Sequence, residues 1–145
     1  GILFMGPSGI GKSTRADLWQ RYAGAEIING DRAFVNRDSN GAWKAYGSPY
    51  AGSSGYYVNK SVPIRAVMTV KRGGAEEVRI QRITGAKAFR EVYRNVTVHQ
   101  WNTYAVNAVS SAIMDMISII PVYEMICPPD IRAVENVRKE LELDK

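Results

Sequence analysis

Glycines at positions 6, 9 and 11, a lysine at 12 and hydroxyls at 13 and 14 fall within one nine-residue run. The run Gly6-Pro7-Ser8-Gly9-Ile10-Gly11-Lys12-Ser13-Thr14 satisfies Gly-x-x-x-x-Gly-Lys-Ser at every specified place, the Walker A pattern. Glycines let a backbone curl until successive N–H groups point inward at phosphate oxygens. A helix opening at its end adds a positive N-terminus. Lys12 is then placed to reach β- and γ-phosphates as a point charge, and the Ser13 hydroxyl to coordinate magnesium, which takes few protein oxygens and keeps several waters. The expected ligand is ATP with Mg2+, held by all nine residues from Gly6 to Thr14.

Phosphoryl transfer also needs a carboxylate near the γ-phosphate. Asp31 follows Lys12 by 19 positions, after Glu26-Ile27-Ile28, which reads as a second strand ending at Gly30-Asp31. If that strand lies beside the first, its end faces the phosphate loop; otherwise Asp31 merely closes a turn. Later in the chain, Glu124 lies inside an apolar run and Asp130 beyond two prolines, and neither is as well placed. Asp31 and Lys12 are the candidate catalytic residues, and Ser13 and Asp31 the candidate metal ligands.

These side chains require an α/β frame. Ile2-Leu3-Phe4-Met5 reads as a buried strand running into the loop, and Ala16, Trp19 and Tyr22 recur at helical spacing until Gly24. Ala33 to Arg37 and Trp43 to Tyr46 flank Asp38-Ser39-Asn40-Gly41, a hairpin signal. A Gly/Ser-rich loop runs from Gly47 to Gly55. Pro63 to Lys71 and Glu77 to Ile83 read as strands around Arg72-Gly73-Gly74. Helices are expected over Thr84 to Val96 and over Asn102 to Ser118, the latter with Ala105, Val109, Ala112, Ile113 and Met116 on its apolar face. Val122 to Ile126 reads as the last strand, and Asp130 as the cap of a last helix buried through Ile131, Val134, Val137 and Leu141. Residues 1–145 thus read as one domain, a mixed β-sheet flanked by helices, and the abrupt start suggests a fragment lacking upstream strands.

The chain has 145 residues, 46% hydrophobic and 23% charged, a globular composition. No apolar run approaches the ~20 residues that cross a bilayer. Cys127 is the single cysteine, so no internal disulfide or Cys/His metal cluster is expected, and a cytoplasmic setting follows. The net charge of +5 is concentrated between Lys60 and Arg94, where nine basic residues face three acids. Two readings stand: a solvated face, or a surface for an anionic partner such as an acidic protein or peptide. Nucleic acid fits poorly, because no aromatic stacking set is interleaved with the charges.

The phosphate loop, Ile27-Ile28-Asn29-Gly30-Asp31-Arg32 and Tyr46-Gly47-Ser48-Pro49 together resemble the HPr serine kinase/phosphorylase family, whose nucleotide-binding core is shared with ATP-dependent phosphoenolpyruvate carboxykinase. The resemblance extends through Asn59 to Pro63 and Thr97 to Asn102. It implies a kinase that moves the γ-phosphate of ATP to a hydroxyl, often a serine of a protein or peptide. It also puts Asp31 where the family has an acidic pair. Here that pair is Gly30-Asp31, so one acid is missing, which weakens any reverse, phosphorylase activity. It leaves a catalytically decayed nucleotide-binding scaffold as the alternative from another class, with an ordinary P-loop small-metabolite kinase as a third.

Softer candidates surround this set. Arg32 could neutralise a transferring phosphate or stand exposed. Ser48 and Tyr50 lie in a loop that could close over substrate or simply cover the surface. Lys60, Arg79 and Arg82 could include a transition-state cation. His99 reads as a structural or surface residue rather than a base, and Trp101 and Tyr104 as core rather than an adenine-stacking pair.

Overall fold

The computed structural model describes residues 1–144. Its elements are β1 (Ile2–Met5), α1 (Lys12–Ala23), β2 (Phe34–Arg37), β3 (Trp43–Tyr46), β4 (Ser61–Pro63), β5 (Ala66–Val70), β6 (Arg79–Ile83), α2 (Gly85–Tyr93), α3 (Thr103–Ile119), β7 (Val122–Ile126) and α4 (Arg132–Glu140). The main sheet has the order β1-β5-β7-β6, and a second sheet the order β2-β3-β4. In the main sheet β1, β5 and β7 run parallel and β6 antiparallel to β7, so the mixed α/β architecture expected from the sequence is the one observed.

Side-chain alternation on the main sheet explains its two covered faces. Val67 and Val122 point to one side, where Ala88 and Val92 of α2 and Ile113 and Met116 of α3 bury them. Ala66, Met68, Tyr123 and Met125 point to the other, against Ala133 and Val137 of α4 and Leu18 and Trp19 of α1. With both faces covered, all five residues of β5 are buried and need no polar alternation. Asn102 starts α3 by accepting the Ala105 amide at 3.1 Å. On α3 Ile113 and Met116 are buried as expected, whereas Ala112 is exposed. On α4 Ala133, Val134 and Val137 are buried, as is Leu141 just past its end, but Ile131, just before its start, is exposed.

Two expectations about strands change. Pro63 to Lys71 is not one strand: Ser61–Pro63 belongs to the small sheet, and the chain crosses to the main sheet at Ile64 and Arg65 before Ala66–Val70. β7 lies between β5 and β6, so the strands around Arg72-Gly73-Gly74 are not neighbours. Glu26-Ile27-Ile28 forms no strand, and β1 has only β5 as its ladder partner. The segment's backbone is taken up by the chain at 56–58: Val58 N–H donates to Ile28 O at 3.1 Å and Gly30 N–H to Tyr56 O at 2.8 Å.

The expected β2–β3 hairpin forms, with Phe34 opposite Tyr46 and Arg37 opposite Trp43. Asp38 organises its turn, accepting the amides of Asn40 and Ala42 at 2.9 Å each and pairing with Lys44 at 3.0 Å. Lys44 first, then the Ala42 amide, hold the Asp38 carboxyl below its ordinary range. A depressed carboxylate pKa contributes stability above its unfolded value, about 3.9, which is lost as pH falls through the lower folded value. Asp38→Ala should therefore lower the melting temperature at neutral pH, with the difference from wild type shrinking in acid below pH ~4. Thermal melts of both chains across pH would check this, and a difference independent of pH would refute it.

Candidate functional site

β1 carries the chain into the glycine-rich loop 6–14 at the C-terminal end of the parallel strands, where α/β sheets commonly bind ligands. The loop can curl because its glycines take conformations closed to other residues: φ is 153° at Gly6 and 99° at Gly11. A Cβ at Gly6 would lie 2.9 Å from the Ile10 side chain, and one at Gly11 only 2.4 Å from the Arg15 guanidinium. No side chain caps the N-terminus of α1, and its first turn holds no acid, so its amides are left for an anion. Lys12 folds back over the loop, its Nζ donating to Gly6 O at 2.8 Å and Pro7 O at 3.0 Å.

Beside the loop lies a cavity of about 380 Å³, walled by Leu3 and Phe4 of β1 and by Ile27 and Ile28. Lys12, Ser13 and Asp31 all line it. Of the predicted site Lys12, Ser13 and Asp31 share one cavity, whereas Gly6 to Gly11 and Thr14 do not line it, and the reason anticipated for the approach of Asp31, a second strand paired to β1, does not hold. Asp31 is instead held by the 47–58 loop. Arg32 N–H donates to Tyr50 O at 3.0 Å, and a Cβ on Gly52 would come 2.9 Å from that of Asp31, so only glycine lets the loop approach so closely. The Asp31 side chain is 48% exposed and 3.9 Å from Arg32.

Ser48 has a different role from the mobile loop position considered above. It is 1% exposed, donates its hydroxyl to the Arg32 carbonyl and accepts the Tyr50 amide at 3.2 Å. Tyr50 is exposed and meets Phe34 edge-on at 6.4 Å. Asp17 also lines the cavity, and sequence reasoning passed over it. Its signal was available, because the spacing from Ser13 to Asp17 is i to i+4 and puts both on one helix face.

The other acids are elsewhere engaged. β5, the strand next to β1, ends Thr69-Val70, is followed by Lys71 and offers no carboxylate at the site. Glu124 on β7 pairs with Lys87 at 3.3 Å and Arg79 at 3.7 Å. Asp130 is bound by Arg132, whose guanidinium and amide hold its carboxyl below the ordinary range. Among the described residues no three His, Cys, Asp or Glu side chains gather as a metal cluster. The donor set facing the cavity still suits magnesium, which needs only one or two protein oxygens beside phosphate and water. Ser13 and Asp31 could supply those.

The remaining candidates disperse. Trp101 and Tyr104 are 82% and 83% exposed, so the expectation that they are core is wrong. The stretch 97–102 before α3 forms no strand or helix, and the Trp101 ring lies 5.7 Å from that of His99, itself exposed. Lys60 pairs with Glu26 at 2.8 Å. In the basic stretch Lys71 meets the buried Glu91 at 2.5 Å, and Arg94 meets it at 3.3 Å. Arg79 lies opposite Ile126 and Arg82 opposite Tyr123, so the stretch runs from the phosphate-loop end of the sheet to the far end and forms no single patch. No described helix is long and apolar enough to cross a membrane. No family model, curated protein or solved structure matches this chain.

Proposed function

We propose that this chain is an ATP- and magnesium-dependent phosphotransferase of the P-loop, HPr-kinase-like kind. It moves the γ-phosphate to the hydroxyl of a serine on an acidic protein or peptide in the cytoplasm. The observation that carries the reading is one cavity lined by Lys12, Ser13 and Asp31, the first two directly following the glycine-built turn at 6–11. Lys12 exchanges its two carbonyl partners for phosphate oxygens, and the loop amides take up the remaining charge. Magnesium, when bound, neutralises phosphate charge, and Ser13 and Asp31 are the residues that would hold it. The acceptor oxygen forms its bond to phosphorus as the bond to the ADP oxygen breaks, and the acceptor proton passes to Asp31.

The test is transfer of labelled γ-phosphate to serine-containing acidic peptides, with ATP hydrolysis as a second readout. Label on a peptide serine supports the reading. A second reading, a nucleotide-binding domain without catalysis, is favoured by the missing acid at Gly30 and by the absence of a carboxylate at the end of β5, where Val70 is followed by Lys71. Tight Mg·ATP binding with no transfer and no hydrolysis would select it.

Acceptor docking can be tested inside the basic stretch. Arg72 follows β5 at the phosphate-loop end, whereas Arg82 lies toward the other end of β6. Both are exposed and neither enters an ion pair among the described residues, so reversing either leaves no buried partner stranded. Exposed charges attract a partner over about a Debye length, ~8–10 Å near physiological salt. Arg72→Glu should raise the acceptor KM and reduce its salt sensitivity while ATP affinity stays unchanged, and Arg82→Glu should do neither. Equal effects of the two variants would remove the docking assignment.

A further inference from the structure

Arg15 is the only cation among the described residues that is less than a tenth exposed, at 6%, and it enters no ion pair. Its Nη1 donates to Gly11 O at 3.2 Å and more weakly to Ile10 O at 3.5 Å. Its Nη2 donates to Cys127 O at 2.7 Å, just past the end of β7, and its Nε has no partner. A buried charge without a counter-ion is costly, and an apolar side chain of equal length would fill the same space without that cost. Burial also lowers the guanidinium pKa from its ordinary value. The charged fork therefore needs a reason beyond filling volume.

The geometry points to Arg15 as the positioning residue of the phosphate loop, a rigid bridge that ties the loop to the end of β7 and turns its amides toward the ligand. A trans peptide is planar, with its C=O and N–H pointing in opposite directions. Drawing the Ile10 carbonyl inward to the guanidinium sends the Gly11 N–H outward, and drawing the Gly11 carbonyl inward sends the Lys12 N–H outward. Those are amides that a curled glycine loop offers to phosphate. Gly11 must lack a Cβ for the same reason, since one would collide with Arg15 Nη1. The fork matters as much as the charge: the planar guanidinium reaches the loop and Cys127 together, which a lysine ammonium on its flexible stem cannot reproduce.

This inference rests on the reading of the loop as a phosphate cradle, so the experiment has one arm that needs no ligand. Arg15→Lys keeps the charge without the fork, and Arg15→Met keeps the length without the charge. Because Arg15→Met can destabilise the whole fold, Arg15→Lys decides the matter. In the free chain, amide hydrogen exchange at Ile10 and at position 15, whose N–H groups are bonded to Pro7 O and Gly11 O, should quicken in Arg15→Lys relative to amides of α3, which report global stability. The Kd of inorganic pyrophosphate, measured by calorimetry with magnesium, should rise by about tenfold, the loss expected for charge-assisted hydrogen bonds. Unchanged exchange and Kd in Arg15→Lys would overturn the proposal. So would retention of affinity by Arg15→Lys with its loss in a folded Arg15→Met, since the field of the charge would then suffice. A wild-type chain that binds neither pyrophosphate nor Mg·ATP would sink the cradle reading itself, and the exchange arm alone would then decide whether Arg15 holds the loop.

Discussion

Lys12→Ala should weaken Mg·ATP binding by roughly ten- to a hundred-fold in a chain that remains folded, because a charge-assisted contact is worth ~1.5–3 kcal/mol. Two effects share that loss. The ammonium that would meet the β- and γ-phosphates disappears, and so do its bonds to Gly6 O and Pro7 O across the loop. The side chain packs into neither hydrophobic cluster, so the cores on both faces of the sheet stay intact. Calorimetric titration beside a thermal melt separates loss of binding from loss of fold. Affinity equal to wild type in a folded variant would remove the Walker A assignment.

Asp31→Asn should lower transfer by about 10²–10⁴-fold, the span attributed to a positioned general base. Asparagine keeps the shape that lies against Gly52 but loses the charge. Magnesium distinguishes the two duties open to this carboxylate. If Asp31 only takes the proton, ATP affinity is the same as wild type with and without magnesium. If it also holds the metal, the variant binds Mg·ATP more weakly while its affinity for metal-free ATP is unchanged. Transfer by the variant at the wild-type rate would reject Asp31 and turn attention to Asp17, which lines the same cavity.

Local signals in the sequence were read well where they are covalent or strictly periodic. The curl of the glycines at 6–11, the stop of α1 at Gly24, the Asp38 hairpin and the burial of Ile113 and Met116 on α3 follow from spacing and turn chemistry. What spacing could not supply was pairing between distant segments. Ile27-Ile28 has strand composition, but its partner was decided by residues 56–58, which take the Ile28 and Gly30 backbone groups. Ser48 looked like a loop hydroxyl because nothing in Gly47-Ser48-Pro49 announces burial against the Arg32 carbonyl. Trp101 and Tyr104 misled in the other direction, since large aromatics are usually covered and here are not. Asp17 was legible at i+4 from Ser13, and Arg15 was not, because its partner Cys127 lies 112 residues away.

The two sides of the cavity are fastened by different means. The glycine loop is continuous with β1 and is bonded through Arg15 to Cys127, just past the end of β7. Asp31 hangs on a few hydrogen bonds to the 47–58 loop, which belongs to neither ladder. Local opening free energies differ across a fold, and segments with few buried apolar contacts open first. The region around Asp31 is therefore a sub-global unit that can melt while the cradle persists. On warming, turnover should be lost at a lower temperature than nucleotide affinity, and the gap between those temperatures measures how weakly the acid is fastened.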